Sequence, residues 1–179
     1  MKHARVWLML GGIALLAVAA GYRLGLLGKS AETATLATPT QSIFGLVLTD
    51  LKGRVQGLDQ YRGKILVVNY WATWCHPCRE QMPGFSRLQD KFRDKGVQFI
   101  GISTDDAPKI IEFQKEAPVS YPLLIGDMGI MKNSADLGNS RQALPFTAVF
   151  DREGKLSAAK LGRYAEADLD RLLLDLVSP

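Results

Sequence analysis

The chain carries two cysteines, three residues apart, in the run Cys75-His76-Pro77-Cys78. Thiols at that spacing can close a disulfide with each other, and a thiolate so placed can attack a disulfide elsewhere. Stapled secreted folds use several bridges over long loops, so one close pair is not scaffolding. A tetrahedral metal site needs four ligands and no second cysteine pair exists. His76 is the only histidine outside the N-terminal segment, and its place between the cysteines suits a single metal ion poorly. The composition therefore points to a working dithiol, with metal binding or incidental thiols as the weaker readings.

The elements around the pair decide what it can do. Ile65–Tyr70 (ILVVNY) is a nearly continuous apolar run that reads as a strand buried on both faces. From Arg79 to Lys95, Met82, Phe85, Leu88 and Phe92 trace one helical face, and Gly96 stops the helix. Cys75 thus falls at a helix N-terminus, where unpaired N–H groups and the positive end of the dipole favour a thiolate. Cys78 lies one turn further in, suited to resolving a mixed disulfide by attacking Cys75. Pro77 fixes the backbone of the first turn, where a missing N–H costs little. His76 adds an ionisable donor at the mouth; protonated, it would favour the thiolate further.

The remaining elements complete the frame. Phe44–Thr49 and Arg54–Leu58 read as hairpin arms about an Asp50–Gly53 turn. Strands are expected at Val97–Ser103, Tyr121–Ile125, Phe146–Phe150 and Leu156–Leu161, the last two joined by the turn Asp151–Lys155. Helices are expected at Ala107–Glu116, begun by Asp105 or Asp106 with Pro108 in its first turn, at Ile130–Leu137 and at Ala165–Val177. Strands separated by helical patterns argue a parallel βαβ unit, and the closing strand–turn–strand is antiparallel. The fold class is α/β: a mixed central sheet flanked by helices, with the site outside the carboxyl end of a central strand.

The formal net charge of +4 invites a basic-protein reading, which the distribution removes. Lys2, Arg5, Arg23 and Lys29 all lie in residues 1–30, which hold no acid; the rest of the chain has 18 basic against 18 acidic residues. No basic cluster suggests nucleic acid as a partner. Val6–Tyr22 is free of charge and reads as a single membrane anchor, with Arg23 able to snorkel. The alternative is a cleaved secretion signal ending near Ala17-Val18-Ala19. Either way the following domain is exported. Residues 1–29 form this signal-anchor segment, the small polar residues 30–42 a linker, and residues 43–179 the domain.

Val67–Pro83 (VVNYWATWCHPCREQMP) resembles the active-site stretch of membrane-anchored thioredoxin-like proteins of the TlpA/ResA/CcmG group. Gly63-Lys64 before the first central strand, Leu144-Pro145-Phe146-Thr147 and the turn Asp151–Lys155 also match, so the resemblance spans residues 42–179. It implies a thioredoxin fold with an N-terminal β-hairpin extension and a helix-containing central insert. It implies dithiol–disulfide exchange with Cys75 attacking and Cys78 resolving, Trp71 and Trp74 flanking the site, and Pro145 as a cis-proline facing the disulfide. The backbone of Leu144 would then pair with a substrate strand. No cofactor beyond the Cys75–Cys78 disulfide is implied. The expected setting is a bacterial inner membrane with the domain in the periplasm, or a soluble periplasmic form after cleavage. Partners would be disulfide-containing exported proteins, cytochrome c maturation among the uses, and a membrane thiol reductant as electron donor.

Two positions depart from the group. Where thioredoxin has a buried Asp this chain has Asn69, and where many anchored relatives have Glu after the second cysteine it has Gln81. Protons are therefore expected to leave Cys78 through water or Glu80. A thiol oxidase or isomerase is the alternative within the class. A thiol peroxidase would need a Pro-x-x-x-Thr-x-x-Cys loop, and a copper-handling thiol protein a wider cysteine spacing and a distant histidine in the soluble part; none of these is present.

Overall fold

The computed structural model describes residues 43–127 and 129–178. The expected anchor and linker lie outside the described residues. Among the described residues no helix is long and apolar enough to cross a membrane.

Strand β3 (Ile65–Trp71) is buried along its whole length. Alternate side chains point to opposite faces of a strand, and both faces are covered here. Ile65, Val67 and Trp71 belong to one apolar cluster, and Leu66, Val68 and Tyr70 to a second on the other side. β3 is central in a seven-stranded sheet of order β2-β1-β5-β4-β3-β6-β7. The other strands are β1 (Val47–Asp50), β2 (Val55–Gly57), β4 (Val97–Ser103), β5 (Leu123–Ile125), β6 (Phe146–Phe150) and β7 (Leu156–Leu161). β3 pairs parallel with β4 and antiparallel with β6, and β4 pairs parallel with β5. The β1–β2 hairpin joins β5 antiparallel, and β7 closes the other edge on β6. This is the mixed sheet of a thioredoxin fold, with the hairpin as its N-terminal extension.

Helix α1 (His76–Phe92) follows β3 and buries Cys78, Met82, Phe85, Leu88 and Phe92. Helix α4 (Glu166–Val177) buries Leu169 and Leu173 in the same cluster. Helix α2 (Ala107–Glu116) adds Ile110 and Phe113 there. Helix α3 (Gly129–Asp136) covers the opposite face with Ile130. Between β4 and β6 the chain thus inserts two helices and β5. Gly96, at φ +79°, lets the chain leave the short 3-10 turn Arg93–Lys95 that ends α1, and its carbonyl accepts from Ile65 N–H at 3.0 Å.

Several boundaries differ from the sequence reading. The first strand starts at Val47 rather than Phe44, because Ile43 and Phe44 form a buried helical turn, with Phe44 edge-on to Phe150 at 6.0 Å. β5 starts at Leu123 rather than Tyr121, since Pro122 has no N–H to give a ladder, although its carbonyl still accepts from Gly101 at 2.9 Å. A 3-10 turn at Leu58–Tyr61 was not visible in any periodicity. In the hairpin turn, the backbone N–H groups of Arg54 and Lys52 and the Arg54 guanidinium all donate to Asp50. They hold its carboxyl below the usual carboxylate range, the Arg54 N–H foremost.

Candidate active site

Cys75 is the N-cap of α1, with extended backbone (φ −83°, ψ 97°), and its N–H donates to Ala72 O at 3.1 Å. It is bonded to Cys78, the Cα atoms 5.3 Å apart. Cys75 is 5 % exposed and Cys78 fully buried. Cys75 thus keeps a small exposure that Cys78 lacks, and it sits at the positive end of a 17-residue helix, where a thiolate is favoured.

Trp71 and Trp74 differ in position. Trp71 is buried at the end of β3 with its ring 5.0 Å from Phe113, whereas Trp74 is 73 % exposed beside Cys75. Pro77 is exposed in the first turn of α1. His76 is exposed too, its Nε2 lying 3.4 Å from Glu80 Oε1, and Glu80 also meets Arg163 at 3.4 Å. Exposed pairs of this length contribute little. Leu144–Pro145 is a cis peptide, and Pro145 immediately precedes β6, whose Phe146 pairs with Tyr70 of β3. Pro145 O accepts from Gly162 N–H at 2.8 Å. The loop before it is templated by the buried Asn139, whose side chain brackets Ala143, accepting its N–H at 3.1 Å and donating to its carbonyl at 2.9 Å. Gln142 in that loop has φ +48°, and its N–H donates to Asn139 O at 2.7 Å.

Three functional candidates escaped the sequence reading. Asn139 is one; nothing in its neighbourhood signals its reach to Ala143. Asp105 is the second. Asp106 caps α2, accepting from Lys109 N–H at 3.1 Å, which leaves Asp105 free to turn inward. Its carboxylate is buried and accepts the Thr73 N–H at 2.6 Å and the Ser103 hydroxyl at 3.3 Å. The turn carrying Trp74 and Cys75 is therefore tied to the end of β4. The third is the mutual pairing of Asn69 and Gln81, 2.9 Å apart, whose amide character was legible but whose contact was not. A hydrogen bond to a charged group contributes about 1.5–3 kcal/mol. Asp105→Ala should accordingly lower stability by about 2 kcal/mol in urea titrations; a loss below about 0.5 kcal/mol would mean the tie carries no strain-bearing role.

A cysteine pair capping the helix that follows a central strand, with a cis-proline just before that strand's antiparallel neighbour β6, defines a thioredoxin-fold dithiol–disulfide protein. The chain belongs to the AhpC/TSA family, whose model matches residues 39–159. It is similar to the thiol-disulfide oxidoreductase ResA of Geobacillus kaustophilus, 28 % identical over 173 residues, covering 96 % of each chain. ResA of Bacillus thuringiensis subsp. konkukian is 30 % identical over 129 residues, 71 % of this chain and 72 % of the relative. Among solved structures, a thiol:disulfide interchange protein of the thioredoxin family from Chlorobium tepidum superposes with TM-score 0.67 at 24 % identity. The match covers 74 % of this chain and 93 % of that one, and supports the fold.

Proposed function

We propose that the protein is a thiol–disulfide oxidoreductase that reduces disulfides of exported proteins, cytochrome c maturation being one use. The observation that carries the reading is the asymmetry of the pair: Cys75 is the N-cap of α1 and keeps 5 % exposure, whereas Cys78 lies one turn further in and is fully buried. In the reduced protein the Cys75 thiolate attacks a substrate disulfide. A Cys75–substrate bond forms, and the other substrate sulfur leaves as a thiolate. Cys78 then attacks Cys75 Sγ, releases the second substrate thiol and leaves the intramolecular disulfide. The two electrons come to the pair from a membrane thiol reductant, and no bound cofactor takes part. Trp74 and the Leu144 backbone offer the contact surface, with Pro145, Pro77 and His76 shaping it and the buried Trp71 backing it from the end of β3. The uncharged run Val6–Tyr22 supports an anchor or export signal, and the domain it carries acts on the outer side of a bacterial inner membrane in this reading.

Equilibration with glutathione buffers tests the direction. A reductase should titrate nearer to thioredoxin, about −270 mV, than to a strong oxidant at about −120 mV. A value at the oxidising end would make the protein a thiol oxidase or isomerase instead.

A further inference from the structure

Asn69 and Gln81 are both buried between β3 and α1, and their orientation is determined from outside. The backbone N–H of Tyr164 donates to Gln81 Oε1 at 2.9 Å. The Gln81 amide group must then face the other way, and Nε2 donates to Asn69 Oδ1 at 2.9 Å. That contact turns Asn69 in its turn: its carbonyl is occupied, and its Nδ2 is left as a buried donor without an acceptor. Directly opposite Asn69 in the β3–β6 ladder stands Thr147, whose buried Oγ1 also has no partner. Two unsatisfied polar groups on facing residues are unusual in an interior that pairs nearly all of them.

Their location suggests why they persist. Val67 and Val149, the flanking pair two positions along the same ladder, belong to the apolar cluster that also contains Cys78 and Met82. Asn69 and Thr147 share that face by the alternation of strands. Gln81 lies three residues after Cys78, hence on the same side of α1. The nearby charges are engaged elsewhere: Glu80 with Arg163, Arg87 with Glu166, and Lys160 over the Tyr164 ring at 5.0 Å. No carboxylate joins the Asn69–Gln81 contact.

We infer that Gln81 positions Asn69 so that the Asn69 amide, with the Thr147 hydroxyl, supports the Cys78 thiolate by neutral hydrogen-bond donation during the resolving step. The inference rests on the oxidoreductase reading above. In that step the Cys78 thiol gives its proton to water, and its thiolate attacks Cys75 Sγ. The Cys75–Cys78 bond forms while the Cys75–substrate bond breaks, and the departing sulfur takes a proton from solvent. Donors to the thiolate favour its formation without a second ionisable group having to change state.

Reduced full-length protein mixed with dithiobis-nitrobenzoate separates the two steps, since the attack by Cys75 releases one coloured thiolate and resolution by Cys78 releases the second. Asn69→Leu and the near-isosteric Thr147→Val should each slow the second release by about tenfold, the worth of one such hydrogen bond, and leave the first within about twofold. Asn69→Asp keeps the Gln81 contact, replaces the donor by an ionisable group, and should give the second release a pH break, raised by burial above the usual carboxylate range, that the parent lacks. If the second release is unchanged in Thr147→Val and Asn69→Leu, or if both releases slow equally, the inference is wrong. If the parent itself shows no two-step release, the oxidoreductase reading fails instead.

Discussion

Cys75→Ser should reduce disulfide exchange to the uncatalysed background, whereas Cys78→Ser should halt it midway as a covalent adduct. The difference follows from position. Cys75, the N-cap of α1, keeps 5 % exposure, and a serine hydroxyl there stays protonated and attacks nothing. Cys78 is fully buried, so a substrate sulfur cannot reach it, but its loss removes the group that would release the substrate. In extracts of exported proteins, Cys78→Ser should carry adducts that survive non-reducing electrophoresis and vanish with reductant. The same adducts should be missing from Cys75→Ser and from the double variant. Equal adduct yields through either cysteine would reverse or erase the assignment of roles. The identities of the trapped partners would also show whether exported proteins are the substrates.

Much of this frame was open to reading from periodicity alone. β4, α2 and β6 fall on the residues their apolar spacing predicts, because each buries one side or both against the core, and β7 does so with one side half-buried. What escaped depends on partners far away in sequence. Asp105 and Asp106 are interchangeable as candidate caps until the fold brings Thr73 within 2.6 Å of one of them. Gln81 and Gln89 sit on the buried side of α1, where spacing would call for apolar residues; each is satisfied by a distant group, Tyr164 N–H and Phe99 N–H respectively. A polar residue on an apolar stripe is thus the sequence signal that a long-range hydrogen bond exists, although it does not say with what. Trp71 and Trp74 make the same point in reverse. Three residues apart in one run, they end up buried and exposed, because the strand ends between them.

The cysteines sit on a helix whose hold on the sheet is aromatic, and that hold can be measured. Phe99 is fully buried in β4, with Phe85 of α1 at 5.6 Å on one side and Tyr121 at 6.0 Å on the other, both rings tilted. Phe99→Ala removes the middle ring of this stack, and neither neighbour can move in without pulling α1 or the Pro122 segment from the sheet. Removing a buried Phe costs about 3–5 kcal/mol when the site cannot collapse. That is a large share of the roughly 5–15 kcal/mol that holds an ordinary domain folded. For a domain of this size the midpoint of thermal unfolding should fall by about 10 °C. Because the stack is a helical turn or more from Cys78, thiol alkylation by the folded variant at 25 °C should keep the parent rate. A fall under about 1 kcal/mol would mean the cavity refills. Altered alkylation with intact stability would mean instead that the stack sets the geometry of the dithiol, not merely the grip of α1 on β4.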